Sequence, residues 1–299
     1  MDDVLIIGGS FAGLVAASHL ARARRSVTIL DTELPRNRFA EGAHNVLGFD
    51  GASPIAIRDK ARADVLAYPT VRHVVAEATG IGGVKDDFVV RTLDGGTHVA
   101  RRVLLSYGVV DQLPPIPGFA EAWGRSVFHC PYCHGYEVAG GRIGILYSMP
   151  GALHGTILLR DWTDNLSLLT NGIPLTDAER AATEGRGVKI HEGRVVEIIT
   201  EAGQVRGVRF DHGGTVELDA ILANPPYRPS ARLHEDIGVA IEDSPMGATV
   251  RVNADDGQTS IAGVFAAGDL ASARQSVNGA VHSGMIAGVG IHRSLLDWS

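Results

Sequence analysis

An α/β fold in more than one domain is what this sequence predicts, and three observations carry the prediction. The chain opens on an apolar run, Val4–Ile7, that passes through Gly8-Gly9-Ser10-Phe11-Ala12-Gly13 into the apolar-periodic stretch Leu14–Leu20. A second apolar run, Val27–Leu30, completes a strand–helix–strand unit of the kind parallel sheets are built from. The length, 299 residues, is about two domains' worth at ~150 residues each.

The elements follow in order. The glycine loop lets the backbone approach a pyrophosphate at a helix N-terminus, where unpaired N–H groups and the helix dipole favour an anion. Gly8 and Gly13 keep the outer positions of G-x-G-x-x-G, while the middle glycine is replaced by Ser10, a residue small enough to be tolerated. Asp31 ends the second strand, about 20 positions beyond the glycines, where an acidic side chain accepts from a ribose hydroxyl. Val103–Ser106 reads as a further strand leading into Tyr107-Gly108, and Pro114-Pro115-Ile116-Pro117-Gly118 as a linker. The middle segment predicts a strand over Arg142–Leu146, a helix over Ala152–Arg160, a strand over Leu166–Thr170 and a helix over Asp177–Glu184. Three alternating runs, Arg194–Thr200, Val205–Phe210 and Val216–Leu218, suit a small antiparallel sheet. After Pro225-Pro226 come a strand ending in Gly268-Asp269 and a closing helix from about Gln275 to Leu296.

Composition narrows the function. Hydrophobic residues make up 45% and charged residues 20%, a globular balance that excludes disorder and fibrous repeats. A net charge of −7 argues against nucleic acid as a partner, because phosphates call for a basic face. No apolar run approaches the ~20 residues of a membrane span. The first residues read as a buried strand without a charged leader, so the expectation is a soluble, cytoplasmic protein. The two cysteines share one tetrapeptide, Cys130-Pro131-Tyr132-Cys133. A structural zinc site needs two more ligands, and no second CxxC is present, so no metal is expected. A redox dithiol fits better: exchange needs one sulfur exposed to the partner and a second placed to resolve the mixed disulfide.

With the glycine loop, Asp31, the central dithiol and the late Phe265-Ala266-Ala267-Gly268-Asp269 followed by Arg274-Gln275, the chain resembles the low-molecular-weight thioredoxin reductases over nearly its whole length. The extended form Cys130-Pro131-Tyr132-Cys133-His134-Gly135-Tyr136-Glu137 is similar to a branch that includes FAD-dependent oxidases of small-molecule dithiols and thioredoxin reductase-like proteins independent of NADPH. The resemblance implies two Rossmann-like three-layer domains with small antiparallel sheets. An FAD domain, residues 1–114 and 225–299, is interrupted by a central domain, 115–224, carrying the CxxC. It also implies FAD held by Gly8, Ser10, Gly13, Asp31, Gly108, Gly268 and Asp269, with the Arg274-Gln275 helix start facing the isoalloxazine. Pro35-Arg36-Asn37-Arg38 and His44-Asn45 look like that branch's FAD-contacting loop. By the same resemblance Cys133 faces the flavin, Cys130 meets substrate, and the protein is a homodimer. His134 stands where the reductases usually carry an aspartate. An imidazole there takes and returns a thiol proton, or serves only structure. Glu137 orients it or is a solvated charge.

An NADPH site calls for a second glycine loop after the central strand. Here Tyr147-Ser148-Met149-Pro150-Gly151-Ala152 follows instead, and no arginine cluster follows Thr170, so NADPH is doubtful as a cofactor. The expectation is a dithiol–disulfide oxidoreductase acting on a small-molecule dithiol or a thioredoxin-like protein. Its other electron terminus is oxygen, a second flavin or a protein such as ferredoxin. An NADPH-dependent thioredoxin reductase and a flavin-binding redox sensor are the alternatives. Trp298, near the chain end, either stacks on the flavin or docks the tail.

Overall fold

The computed structural model describes residues 1–296, so Trp298 lies outside the described residues. Its contacts divide the chain into two units, one of residues 1–38, 53–110 and 227 onward, the other of 39–52 and 111–226. The chain crosses between them after Val110 and after Pro226, and residues 39–52 group with the central segment.

In the first unit the strands Val71–Val75, Val27–Asp31, Asp2–Ile7 and Thr97–Leu105 lie side by side and parallel. Such strands are covered on both faces, which is why Val4, Leu5 and Ile6 are fully buried and read as one apolar run. The strand Thr97–Leu105 serves two neighbours on its other edge. Its first half pairs antiparallel with Asp87–Thr92, itself paired with Ala78–Val84, and its second half pairs parallel with Val264–Ala266. The glycine-loop helix Phe11–Arg22 packs on the closing helix Val277–Ser294 through small residues. A Cβ on Gly284 would sit 2.3 Å from Ala12 O, and one on Gly288 2.9 Å from Ala16 Cα, so the close approach excludes a side chain at either position.

The second unit holds a five-stranded parallel sheet ordered Lys189–His191, Leu166–Leu169, Ile143–Leu146, Ala220–Leu222, Val127–Phe128. Beside it stands the expected antiparallel ribbon of Val195–Glu201, Gln204–Phe210 and Thr215–Glu217, whose first turn places Ala202 and Gly203 at φ 51° and 77°. Two parallel-sheet domains with small antiparallel sheets is the α/β architecture the sequence predicts.

One element differs. The helix expected over Ala152–Arg160 is broken into a 3₁₀ turn Pro150–His154, a single α turn Gly155–Leu158 and a second 3₁₀ turn Leu159–Asp161. Thr156 Oγ1 donates to Leu153 O at 2.7 Å, a local bond that competes with the helical ladder. Among the described residues no helix is long and apolar enough to cross a membrane, and no group of three or more His, Cys, Asp or Glu could hold a metal ion.

Candidate active site

The first unit builds a cradle at the carboxyl ends of its parallel strands. Gly8 turns the chain out of Asp2–Ile7 at φ 105°, where a Cβ would lie 2.4 Å from Ser106 O. A Cβ on Gly13 would lie 2.0 Å from Gly8 O, so the loop closes only on glycine at both positions. Ser106 Oγ staples the turn by donating to Gly8 O at 2.9 Å, a role the sequence reading missed because Ser106 looked only like a strand end. Ser10 stands at the N-cap of Phe11–Arg22 without capping it through its side chain, leaving first-turn N–H groups for another acceptor. Asp31 lies beneath Gly9, whose added Cβ would be 3.0 Å from Asp31 Oδ2. His73 is a further neighbour: its buried Nε2 has no hydrogen-bond partner and lies 3.8 Å from Asp31 Oδ2.

Three expected residues converge from distant parts of the sequence. Arg36 Nη1 donates to Asp269 Oδ2 at 3.0 Å and to Gln275 Oε1 at 2.5 Å, and its guanidinium lies 5.9 Å from the Tyr227 ring centroid. Gly268, at φ 76°, donates its N–H to Ser283 Oγ at 2.9 Å and abuts Ala12 of the glycine-loop helix. Around this cluster Gln275 Nε2 and Tyr227 Oη are buried without a hydrogen-bond partner. Asn37 is half-buried in the turn Arg36–Phe39, while Arg38 is exposed and bonds Pro35 O at 3.0 Å. Gly108 takes φ 70° and accepts from Ser230 N at 3.1 Å. Arg274 is exposed, its backbone N–H held by Ser272 Oγ at 3.1 Å, so its side chain does not join the Arg36 cluster.

The second unit carries the dithiol. Cys130 and Cys133 form a disulfide with their Cα atoms 5.3 Å apart, Cys130 at the N-cap and Cys133 inside the single helical turn Pro131–His134. One turn has little macrodipole, so a thiolate at its N-terminus gains little stabilisation from it. Gly135 has a reason of its own: a Cβ there would lie 2.5 Å from Pro131 O and 3.0 Å from Trp162 Nε1. The His134 ring stacks on Phe128 with centroids 6.0 Å apart, and both its ring nitrogens are buried without a hydrogen-bond partner. Burial pushes its pKa below the ordinary 6.5, opposed by the Glu137 carboxylate and reinforced by His44. His134 is therefore neutral at pH 7 and able to accept a proton.

His44 and Asn45 stand here too. Asn45 Nδ2 donates to Tyr132 O at 2.7 Å, and His44 Nε2 lies 3.3 Å from Glu137 Oε1.

At the carboxyl end of Ile143–Leu146, where a second glycine loop would stand, Tyr147 is buried and donates from Oη to Glu179 Oε1 at 3.3 Å. Glu179 is fixed in a capping box with Thr176, and the next basic residue, Arg180, pairs with Glu192 and Glu184. The Tyr147–Glu179 pair carried no motif that sequence reading could have used.

The pattern of the family described as pyridine nucleotide-disulphide oxidoreductase matches residues 2–146 and 164–284. The chain belongs to that family. Its relatives include a thioredoxin reductase, tcpT, of Claviceps purpurea, 33% identical over 96% of this chain and 92% of that one. Among solved structures, an oxidoreductase from Agrobacterium tumefaciens is 40% identical with a TM-score of 0.93, covering 98% of each chain. HlmI is 34% identical with a TM-score of 0.91 over 98% of this chain and 92% of that one. Membership makes the chain a flavoprotein disulfide oxidoreductase of thioredoxin reductase-like type.

The first unit fits the flavin that the family implies. Its glycine cradle has no room for side chains at Gly8 and Gly13, and the orphaned Gln275 and Tyr227 atoms need polar partners that a dinucleotide supplies. Gly8, Ser10, Gly13 and Asp31 would hold the adenosine-pyrophosphate end, and Asp269 and Gln275 the flavin end. When bound, the isoalloxazine supplies a two-electron redox centre for disulfide chemistry. Asp269→Ala removes a charge-assisted hydrogen bond worth ~1.5–3 kcal/mol, so the FAD dissociation constant is expected to rise about 10- to 150-fold. Titration of the flavin-free protein measures it, and unchanged affinity would remove Asp269 from the site.

Proposed function

We propose that the enzyme exchanges disulfides with a substrate dithiol through Cys130 and Cys133 and passes the electrons to bound FAD without drawing on NADPH. The observation that carries the reading is Tyr147. A nucleotide loop must offer backbone N–H groups at the end of the central strand, and a buried tyrosine bonded to a carboxylate stands there instead. The broken helix that follows supports the same reading, and the stretch outside the family match, 147–163, coincides with it.

In the forward step a substrate thiol gives its proton to His134, and the thiolate sulfur bonds to Cys130 Sγ. The Cys130–Cys133 bond breaks and its electron pair stays on Cys133. The second substrate thiol, its proton released to solvent, then attacks the mixed disulfide, releasing the cyclised or paired disulfide, while Cys130 leaves as a thiolate that takes up the proton held on His134. The substrate is a small-molecule dithiol or a thioredoxin-like protein, and the compartment is the cytoplasm. The names of the thioredoxin reductase relatives keep the protein substrate in view.

The test is turnover of a dithiol in air with no pyridine nucleotide present. Sustained oxygen uptake with disulfide formation is expected, and catalytic turnover also excludes a passive redox sensor. If disulfide forms only once per flavin in air, while NADPH with thioredoxin sustains turnover, the ordinary reductase reading takes its place.

A further inference from the structure

The dithiol turn is held from one side by a loop far from it in sequence. Within residues 39–52 the backbone doubles back, Ala43 N donating to Ala52 O and Gly51 N to Ala43 O, both at 2.9 Å. Asp50 Oδ1 accepts from Asn45 N at 2.7 Å, which fixes Asn45 in the left-handed region at φ 61°. From there its amide reaches Tyr132 O, 87 residues along the chain. The preceding residue, His44, sets Nε2 3.3 Å from Glu137 Oε1 and Nδ1 3.7 Å from Asp50 Oδ2. Gly42 leaves the ring its place, since a Cβ there would come within 3.3 Å of His44 Nε2.

We propose that His44 is a positioning residue for the thiol chemistry, engaging the Glu137 carboxylate so that its charge is shared between two histidines instead of acting on His134 alone. This rests on His134 taking the substrate proton as described above. With the disulfide closed, the charged and titratable groups that bear on His134 are Glu137 on its own segment and His44 on the loop, with Asp50 behind His44, and the Cys130 and Cys133 thiols join them once it opens. Its other neighbours are neutral, the Phe128 ring and the Gly124 carbonyl. When the substrate thiol passes its proton to His134, Glu137 stabilises the imidazolium that forms, and His44, with Nε2 3.3 Å from Glu137 Oε1, competes for the same carboxylate. Asn45 keeps the loop and the turn in register while this happens.

The experiment follows dithiothreitol oxidation by the flavin-loaded enzyme, anaerobically, as loss of the flavin's visible absorbance across pH. His44→Gln keeps a donor for Glu137 and removes the competing imidazole. The acid limb of the rate is expected to move up by about half to one pH unit. Glu137→Gln moves the limb down, and in that background the His44→Gln shift falls below about half its size, the signature of a coupled pair. An unmoved limb in His44→Gln, a uniform loss of rate at every pH, or an equal shift in both backgrounds overturns the proposal. If the wild-type enzyme fails to react with dithiothreitol at any pH, the functional reading beneath it falls instead.

Discussion

Cys130→Ser and Cys133→Ser are each expected to lower dithiol turnover ~10³-fold or more, because no exchange pathway survives the loss of either sulfur. The chain's two cysteines are both in this turn, so no third sulfur can substitute. The variants fail differently. Cys130→Ser leaves Cys133, the sulfur assigned to the flavin side, and a long-wavelength charge-transfer band is expected at high pH. Cys133→Ser lacks that band, and its Cys130 thiol, offered the disulfide form of the substrate, opens that bond and retains it as a mixed disulfide, visible by mass spectrometry. Bands in the opposite variants reverse the assignment of the two sulfurs. Undiminished turnover in either variant removes the pair from the reaction.

His134→Asn is expected to cost about 10²- to 10⁴-fold in the rate of flavin reduction by a dithiol, the range typical of a lost general base. Asparagine nearly matches the imidazole's polarity and has no basic nitrogen. Burial holds the His134 pKa below 6.5, so the neutral base persists through pH 7 and the wild-type rate falls only on the acid side. In His134→Asn that acid limb is expected to disappear. Asparagine gives up the ring's contact with Phe128, so a modest fall in melting temperature is expected while the protein stays folded. A wild-type rate in a folded His134→Asn protein would leave His134 a structural residue packed on Phe128.

Much of this architecture is legible in the sequence, for physical reasons that differ by region. Val4–Ile7 is a continuous apolar run because a central parallel strand is covered on both faces, and Gly8 and Gly13 are required by contacts no side chain could survive. The strand begins earlier than the apolar run, at Asp2, because Asp2 Oδ2 accepts from Thr28 Oγ1 at 2.7 Å and Asp3 from the Ser26 backbone at 3.1 Å, satisfying charges that pattern reading takes as a loop. Ala78–Val84 escaped notice because three glycines give it no strand propensity; its ladder to Asp87–Thr92 supplies what local preference does not. The closing helix starts at Val277 because the Ser276 side chain caps Gly279 N at 3.0 Å, and it ends at Ser294.

The site was legible in pieces. Arg36, Asp269 and Gln275 were named by resemblance, but only the fold brings together residues 233 positions apart. The loss of glycines at Tyr147 was visible, whereas the carboxylate that bonds its hydroxyl was not, since Glu179 reads as an ordinary first-turn residue of a capped helix. The contacts of His44 with Glu137 and of Asn45 with Tyr132 depend on a loop fold that no local pattern announces.

Reducing equivalents are expected to enter from a dithiol and not from NADPH. Anaerobic stopped-flow mixing of the flavin-loaded protein with millimolar NADPH, and in parallel with a dithiol, tests it directly. Losing two or three charge-assisted phosphate contacts of ~1.5–3 kcal/mol each weakens nucleotide binding by roughly 10²–10⁵-fold or more. The flavin is therefore expected to stay oxidised with NADPH over the time in which the dithiol bleaches it. Rapid, saturable bleaching at micromolar NADPH would contradict the account.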